Sequence, residues 1–118
     1  MAKSLSDQSC VPCRAGSPAV TDRVVSQFMR QLPGWRMASV AGVPRIRATF
    51  LFKDYEPALA FTQAVGKMAE HEDHHPRIVL EWGKVKVEWW THAIGGLHQN
   101  DFVAAAKTDR IFHEQAVR

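Results

Sequence analysis

No stretch of this chain approaches the roughly 20 consecutive apolar residues that a membrane-spanning helix requires. The opening Met1-Ala-Lys-Ser-Leu-Ser-Asp-Gln-Ser-Cys10 also lacks the apolar run of a secretory signal. The expectation is therefore a cytoplasmic location with no membrane partner. Cysteine is scarce, with only Cys10 and Cys13 in 118 residues, too few for a disulfide framework. A Cys-x-x-Cys can be half a zinc site or a redox pair. Here no second pair exists, and no strand precedes it as a thioredoxin-like motif requires. A reduced, weakly ordered pair on an N-terminal arm is expected, with a zinc role completed by histidines or a second subunit as the lesser alternative. A strong excess of one charge is missing too. The formal net charge is +3 and the basic groupings are short, such as Arg45-Ile-Arg47 and Lys84-Val-Lys86. Alternation of that kind marks the solvent side of a strand, so no nucleic-acid partner is expected.

What is present suffices for one core. At 46% hydrophobic and 23% charged, the chain has the composition of a single compact domain rather than a disordered one. Residues 1–20 read as a flexible N-terminal arm, polar and broken by Pro12, Gly16 and Pro18, and residues 21–118 as the domain. Thr21-Asp22 suits a helix start, with Val24, Val25, Phe28 and Leu32 at helical spacing over about three turns, until Pro33-Gly34 stops it. Two runs of period two follow. The first starts at Trp35, Ala41-Gly42-Val43-Pro44 reads as the turn, and the second places Ile46, Ala48, Phe50 and Phe52 on one face. From Asp54 the period lengthens: Ala58, Phe61, Val65, Met68 and Ala69 form a helical stripe. Pro76 disfavours helical geometry at His75, so this helix finishes at or just before the double histidine. Ile78–Trp82 reads as a short strand, Gly83 as its turn, and Lys84–His92 as another strand. There Val85, Val87, Trp89 and Thr91 oppose Lys84, Lys86, Glu88, Trp90 and His92. A last helix spans about His98 to Gln115. The order α-β-β-α-β-β-α gives an α+β class, a four-stranded sheet with its helices packed on one face.

One stretch concentrates chemistry. Glu70-His71-Glu72-Asp73-His74-His75-Pro76 holds three of the six histidines and three carboxylates, and His92 follows seventeen residues after His75. Imidazoles and carboxylates are the groups that move protons near neutral pH. His71 and His75 have a spacing that can hold zinc on a helix, but Pro76 ends the helix inside that interval, and no metal site is expected. No Ser or Cys lies beside the cluster in sequence, which disfavours covalent catalysis. A solvated helix end accounts for His71 and Glu72. It accounts less well for His74 and His75, which stand where the helix unwinds, and His92 lies on the polar face of its strand. Both His74 and His92 are expected to be exposed. General acid–base catalysis without a metal is the chemistry left, and it suits an elimination of water.

Glu70-x-x-Asp73-His74-His75-Pro76, then Thr91-His92, Gly96-Leu97 and Asp101, resembles the pterin-4a-carbinolamine dehydratase family. Leu32-Pro-Gly-Trp35, Phe50-x-Phe52-Lys53-Asp54, Asp101-Phe102 and Ala104-Ala105-Ala106-Lys107 extend the resemblance over about residues 20–112, and Cys10-Val-Pro-Cys13 is similar to the arm of many bacterial members. The resemblance implies an antiparallel sheet and a homodimer or homotetramer. It implies a hydro-lyase, 4a-hydroxytetrahydrobiopterin dehydratase, that converts 4a-hydroxytetrahydropterin to quinonoid dihydropterin and water without metal or cofactor. That reaction recycles the pterin of an aromatic amino acid hydroxylase, the implied functional link. By the same resemblance His74 and His92 flank C4a as the acid–base groups, His75 mainly binds and orients, and Glu70 is a supporting carboxylate. Asp73 and Trp90-Thr91-His92-Ala93 line the substrate. His98 stands where the family has Ser or Thr, so a weaker cap on the last helix is expected. The alternative function is a non-enzymatic one on the same fold, as a coactivator or assembly factor.

Overall fold

The structure, a computed structural model, describes residues 4–11 and 17–116. Pro12, Cys13 and Gly16, invoked above for the arm, lie outside the described residues. The expected order of elements is present: α1 (Asp22–Met29), β1 (Arg36–Val40), β2 (Val43–Leu51), α2 (Tyr55–Glu72), β3 (Arg77–Glu81), β4 (Lys84–Trp89) and α3 (Gln99–Ala116). The strands form one antiparallel sheet in the order β1-β2-β4-β3. Among the described residues no helix is long and apolar enough to cross a membrane.

Local chemistry sets most boundaries. Thr21 caps α1, its hydroxyl accepting from the Val24 amide at 3.4 Å. The helix ends at Met29, one turn earlier than its apolar spacing predicts. Gln31 and Leu32 instead donate to Phe28 and Met29 in tight three-residue turns, and Trp35 donates to Leu32, which carries Leu32 into the core before Pro33. The β1–β2 turn needs only Ala41 and Gly42, both at positive φ, the geometry that matches hairpin twist. Val43 and Pro44, read as turn from sequence, already pair with Val40 and Ser39. In the β3–β4 turn a Cβ on Gly83 would stand 2.9 Å from the Phe52 carbonyl, so only glycine lets the Phe52 amide reach the Gly83 carbonyl. Trp82, expected as the last residue of β3, lies in that turn and is exposed.

The pleat buries Ile46, Ala48 and Phe50 of β2 and Val85, Val87 and Trp89 of β4 against Ala58, Phe61, Val65 and Ala69 of α2 and Phe102, Val103 and Ala105 of α3. Phe61 is fully buried between Phe50, Phe52 and Phe112, at centroid distances of 4.8 to 5.9 Å. Behind this core Trp35 Nε1 donates to Asp109 Oδ1 at 2.9 Å. Burial pushes the Asp109 carboxyl above its ordinary range, although the Trp35 hydrogen bond and His113 pull the other way. An acid raised in the fold contributes stability below its unfolded pKa and loses it as pH rises through the folded value. Asp109→Asn keeps an oxygen for Trp35 and removes that loss. Its urea midpoint at pH 7 is expected to equal or exceed that of the parent, whereas at pH 3 the advantage disappears.

The sheet face away from the helices carries an ionic cluster where a wet strand face is predicted. Glu88 is only 1% exposed. It accepts from Arg47 Nε at 2.6 Å, Arg45 Nη1 at 3.3 Å and Arg77 Nη1 at 3.5 Å. Register explains the gathering: Arg47 and Arg77 stand directly opposite Glu88 on the strands to either side.

Within the stretch read as an arm, residues 4–11 are packed on the domain. Leu5 enters the core from a 3₁₀ turn over Leu5–Asp7. Lys107 Nζ donates to the Ser6 carbonyl, and Arg110 reaches Ser6 Oγ and Asp7 on the outer side of α3.

Candidate functional site

The end of α2 is a Schellman turn. Asp73 takes the left-handed conformation (φ 52°, ψ 42°), its amide donates to the Glu70 carbonyl, and the His74 amide donates to Ala69. The helix therefore finishes just before the double histidine, as Pro76 predicts. Asp73 is exposed, and beyond it the chain has left the helix, with His74 buried and His75 exposed.

His74 turns inward and is only 7% exposed, contrary to the exposed position expected for it. Two long-range contacts draw it in. Its ring lies nearly parallel to Trp89, centroids 5.5 Å apart, and its Nε2 sits 2.6 Å from Asp101 Oδ1. Asp101 is fully buried in the first turn of α3, and its Oδ2 accepts from Thr91 Oγ1 and from the His98 amide, both at 2.9 Å. A carboxylate can only accept, so an ionised Asp101 would make His74 Nε2–H the donor and leave Nδ1 for proton exchange. His75 points outward. Its Nε2 is 3.0 Å from Glu70 Oε1, both side chains well exposed, so the contact orients without contributing much stability.

The fourth histidine arrives by a different route. β4 ends at Trp89 rather than at His92, because the chain folds back: Thr91 and Gly96 form an antiparallel bridge, and His92–Ile94 make a 3₁₀ turn closed by Gly95 at φ 59°. Thr91 is buried, Ala93 and His92 are exposed, and Trp90 is half-buried. The His92 ring lies 4.6 Å from that of Trp90, over which Arg45 Cζ sits at 3.9 Å. One carboxylate thus holds both His74 and Thr91, tying the end of α2 to the loop that carries His92. His71 is exposed, as expected.

Sequence reasoning undervalues three residues here. Asp101 appears as a family match with no role, though it is the hub. Its only local signal is the His98-x-x-Asp101 spacing of a capping box. A variant of that box is present: Asp101 Oδ2 accepts from the His98 amide, while His98 Nδ1 accepts from the Asn100 amide at 3.0 Å, one residue short of the usual partner. Glu72, assigned to the surface, is half-buried and accepts from the Cys10 amide at 2.7 Å. Asn100 exchanges two hydrogen bonds with the Val11 backbone, so residues 10 and 11 strap the end of α2 to the start of α3. Nothing near Glu72 in sequence announces that contact.

The strap brings a thiol beside the site. Burial pushes Cys10 up to about 12, with the Glu72 and Asp101 carboxylates adding to it. A thiol so placed is not a nucleophile at neutral pH. In a Cys13→Ser chain, iodoacetamide labelling of Cys10 at pH 8 is expected to be far slower than that of a free thiol and to reach the free rate only in urea. Among the described residues no three His, Cys, Asp or Glu side chains converge as metal ligands do.

Residues 18–111 match the family model described as pterin 4 alpha carbinolamine dehydratase. A Chlorobium luteolum protein, provisionally named a pterin-4-alpha-carbinolamine dehydratase, is 48% identical over 93% of this chain and 96% of its own. A provisionally named relative from Chlorobium limicola is 52% identical over 88% and 92%. Among solved structures, a transcriptional coactivator/pterin dehydratase from Brucella melitensis superposes with a TM-score of 0.72 at 31% identity, over 80% of this chain and 98% of that one. A pterin dehydratase-like protein identified as a RuBisCO assembly factor of the alpha-carboxysome shares the fold, with a TM-score of 0.57 at 24% identity over 66% and 88%.

Proposed function

From the premise that the chain belongs to the pterin 4 alpha carbinolamine dehydratase family, we propose that it dehydrates 4a-hydroxytetrahydropterin to quinonoid dihydropterin and water. The observation that supports this reading is the shared Asp101 carboxylate, which hydrogen-bonds both His74 and Thr91, the residue before His92. The elimination needs a proton delivered to the C4a hydroxyl oxygen, cleavage of the C–O bond, and loss of the N5 proton. His74 and His92 carry those two transfers. Asp101 fixes the His74 tautomer, the service a buried carboxylate performs for an imidazole in hydrolase triads. His75 and Glu70 orient the pterin at the open side of the site, and Asp73, Trp90, Thr91 and Ala93 border it. Each well-placed transfer supplies about 10² to 10⁴ in rate.

In this reading the protein works as a homo-oligomer and returns the pterin of an aromatic amino acid hydroxylase to its recycling route. Ultraviolet monitoring of 4a-hydroxytetrahydropterin breakdown tests it. Acceleration over buffer that survives exhaustive chelation supports metal-free acid–base dehydration. A trace identical to buffer sinks the reading and favours protein binding, the role that the names of the Brucella and carboxysome proteins suggest.

A further inference from the structure

We infer that Arg45 and Trp90 are positioning residues for His92, a buried guanidinium holding an indole against which the imidazole rests. The inference builds on the proposed dehydration, since it assigns the groups that aim one of its histidines. The backbone around His92 is anchored at both ends by the Thr91–Gly96 bridge. That bridge places the Cα of an exposed residue but does not choose its rotamer. The ring contact recorded for His92 is with Trp90, at 4.6 Å and an interplanar angle of 38°. An exposed histidine on a mobile indole would gain little orientation. Trp90, however, is fixed by Arg45, whose Cζ lies 3.9 Å from the indole centroid, within cation–π range.

Arg45 is itself held. It is 7% exposed, donates from Nη1 to Glu88 at 3.3 Å and from Nε to the Val43 carbonyl at 3.5 Å, and sits on β2, an inner strand of the sheet. A planar guanidinium suits this double duty, because its edge hydrogen-bonds while its face lies on an aromatic ring. The path from the sheet to the site is therefore Glu88, Arg45, Trp90, His92. It also gives Trp90 a role other than stacking on the pterin, since a guanidinium and an imidazole already lie against its ring.

The test joins a contact readout to kinetics. The His92 imidazole C–H resonances are assigned in the parent chain by their loss in His92→Gln, then followed in Trp90→Ala, Trp90→Phe, Arg45→Met and Arg45→Lys. Ring-current displacement of His92 is expected to vanish in Trp90→Ala, to persist in Trp90→Phe, and to shrink in Arg45→Met. Misplacing a reacting group by about 1 Å is costly, so kcat should fall about tenfold in Trp90→Ala and Arg45→Met, with KM in Arg45→Met, which lies behind the indole, within about twofold of the parent. Arg45→Lys, which keeps the cation, should recover part of kcat. Arg45→Met leaves Glu88 with Arg47 and Arg77, and folding is checked by circular dichroism. A His92 resonance unmoved in Trp90→Ala overturns the inference, as does a raised KM with unchanged kcat, which would make Trp90 a pterin platform. A parent chain with no dehydratase activity overturns the proposed function alone, and the His92 resonances then decide the contact by themselves.

Discussion

Asp101→Asn is expected to lower kcat for 4a-hydroxytetrahydropterin dehydration by roughly 10²- to 10⁴-fold, the range for losing an oriented acid–base group. Thr91 and His98 both donate to Oδ2, so the new side chain keeps its oxygen there and turns its amide toward His74. An amide N–H facing Nε2 demands an acceptor, which moves the His74 proton from Nε2 to Nδ1. The nitrogen left for exchange then carries the wrong complement of protons. Losing a buried, charge-assisted hydrogen bond also costs about 1 to 3 kcal/mol. The variant should therefore unfold at lower urea than the parent while remaining folded in buffer. Kinetics and a urea titration on one preparation separate the two effects. Asp101→Ala, which leaves Thr91, His98 and His74 without their acceptor, should cost more stability than Asp101→Asn.

The largest loss of stability is expected on the outer face of the sheet, at Glu88→Ala. Removing this carboxylate leaves the buried Arg45 guanidinium without its counter-charge, a change that typically costs about 3 to 5 kcal/mol. Burial alone would raise the Glu88 carboxyl, but the hydrogen bond and charge of Arg47, then Arg45 and Arg77, outweigh it and hold the group below its ordinary value. A carboxyl depressed in the fold contributes stability in full above its unfolded pKa, and loses that contribution as pH falls through the folded value. The parent chain should therefore lose stability below about pH 4.5, the ordinary value for glutamate. Glu88→Gln should start lower and change less with pH over that window. Urea midpoints between pH 3 and 7 check both statements. Equal acid sensitivity in parent and Glu88→Gln would contradict the assignment.

Patterns that repeat within a few residues are legible in this sequence, and contacts between distant residues are not. The stripe Ala58, Phe61, Val65 and Ala69 and the alternation of Ile46, Ala48 and Phe50 place α2 and β2 on their buried faces, and the structure buries those side chains. Pro76 and the residues before it place the end of α2. Glu88 shows the limit. Its position in the alternation assigns it correctly to the outer face, but the arginines that cover it come from β2 and β3, so its burial cannot be read along β4. His74 fails for the same reason. Its neighbours in sequence are charged and exposed, while the groups that bury it, Trp89 and Asp101, lie 15 and 27 positions on. The strap at residues 10 and 11 depends on Glu72 and Asn100, and nothing local separates such a segment from a free arm. His98 is a different case, since a ring nitrogen accepts from the Asn100 amide in place of the usual cap hydroxyl.

In the proposed function the α2 end and the Thr91-His92 loop act as one acid–base site. His92→Ala tests it with least ambiguity, because His92 is exposed and its replacement leaves the Asp101 network untouched. Dehydration followed by ultraviolet absorbance should be accelerated by the parent chain and slowed about 100-fold or more by His92→Ala, with unchanged circular dichroism and urea midpoint. A His92→Ala chain that is fully folded and turns over 4a-hydroxytetrahydropterin at the parent rate would contradict the account.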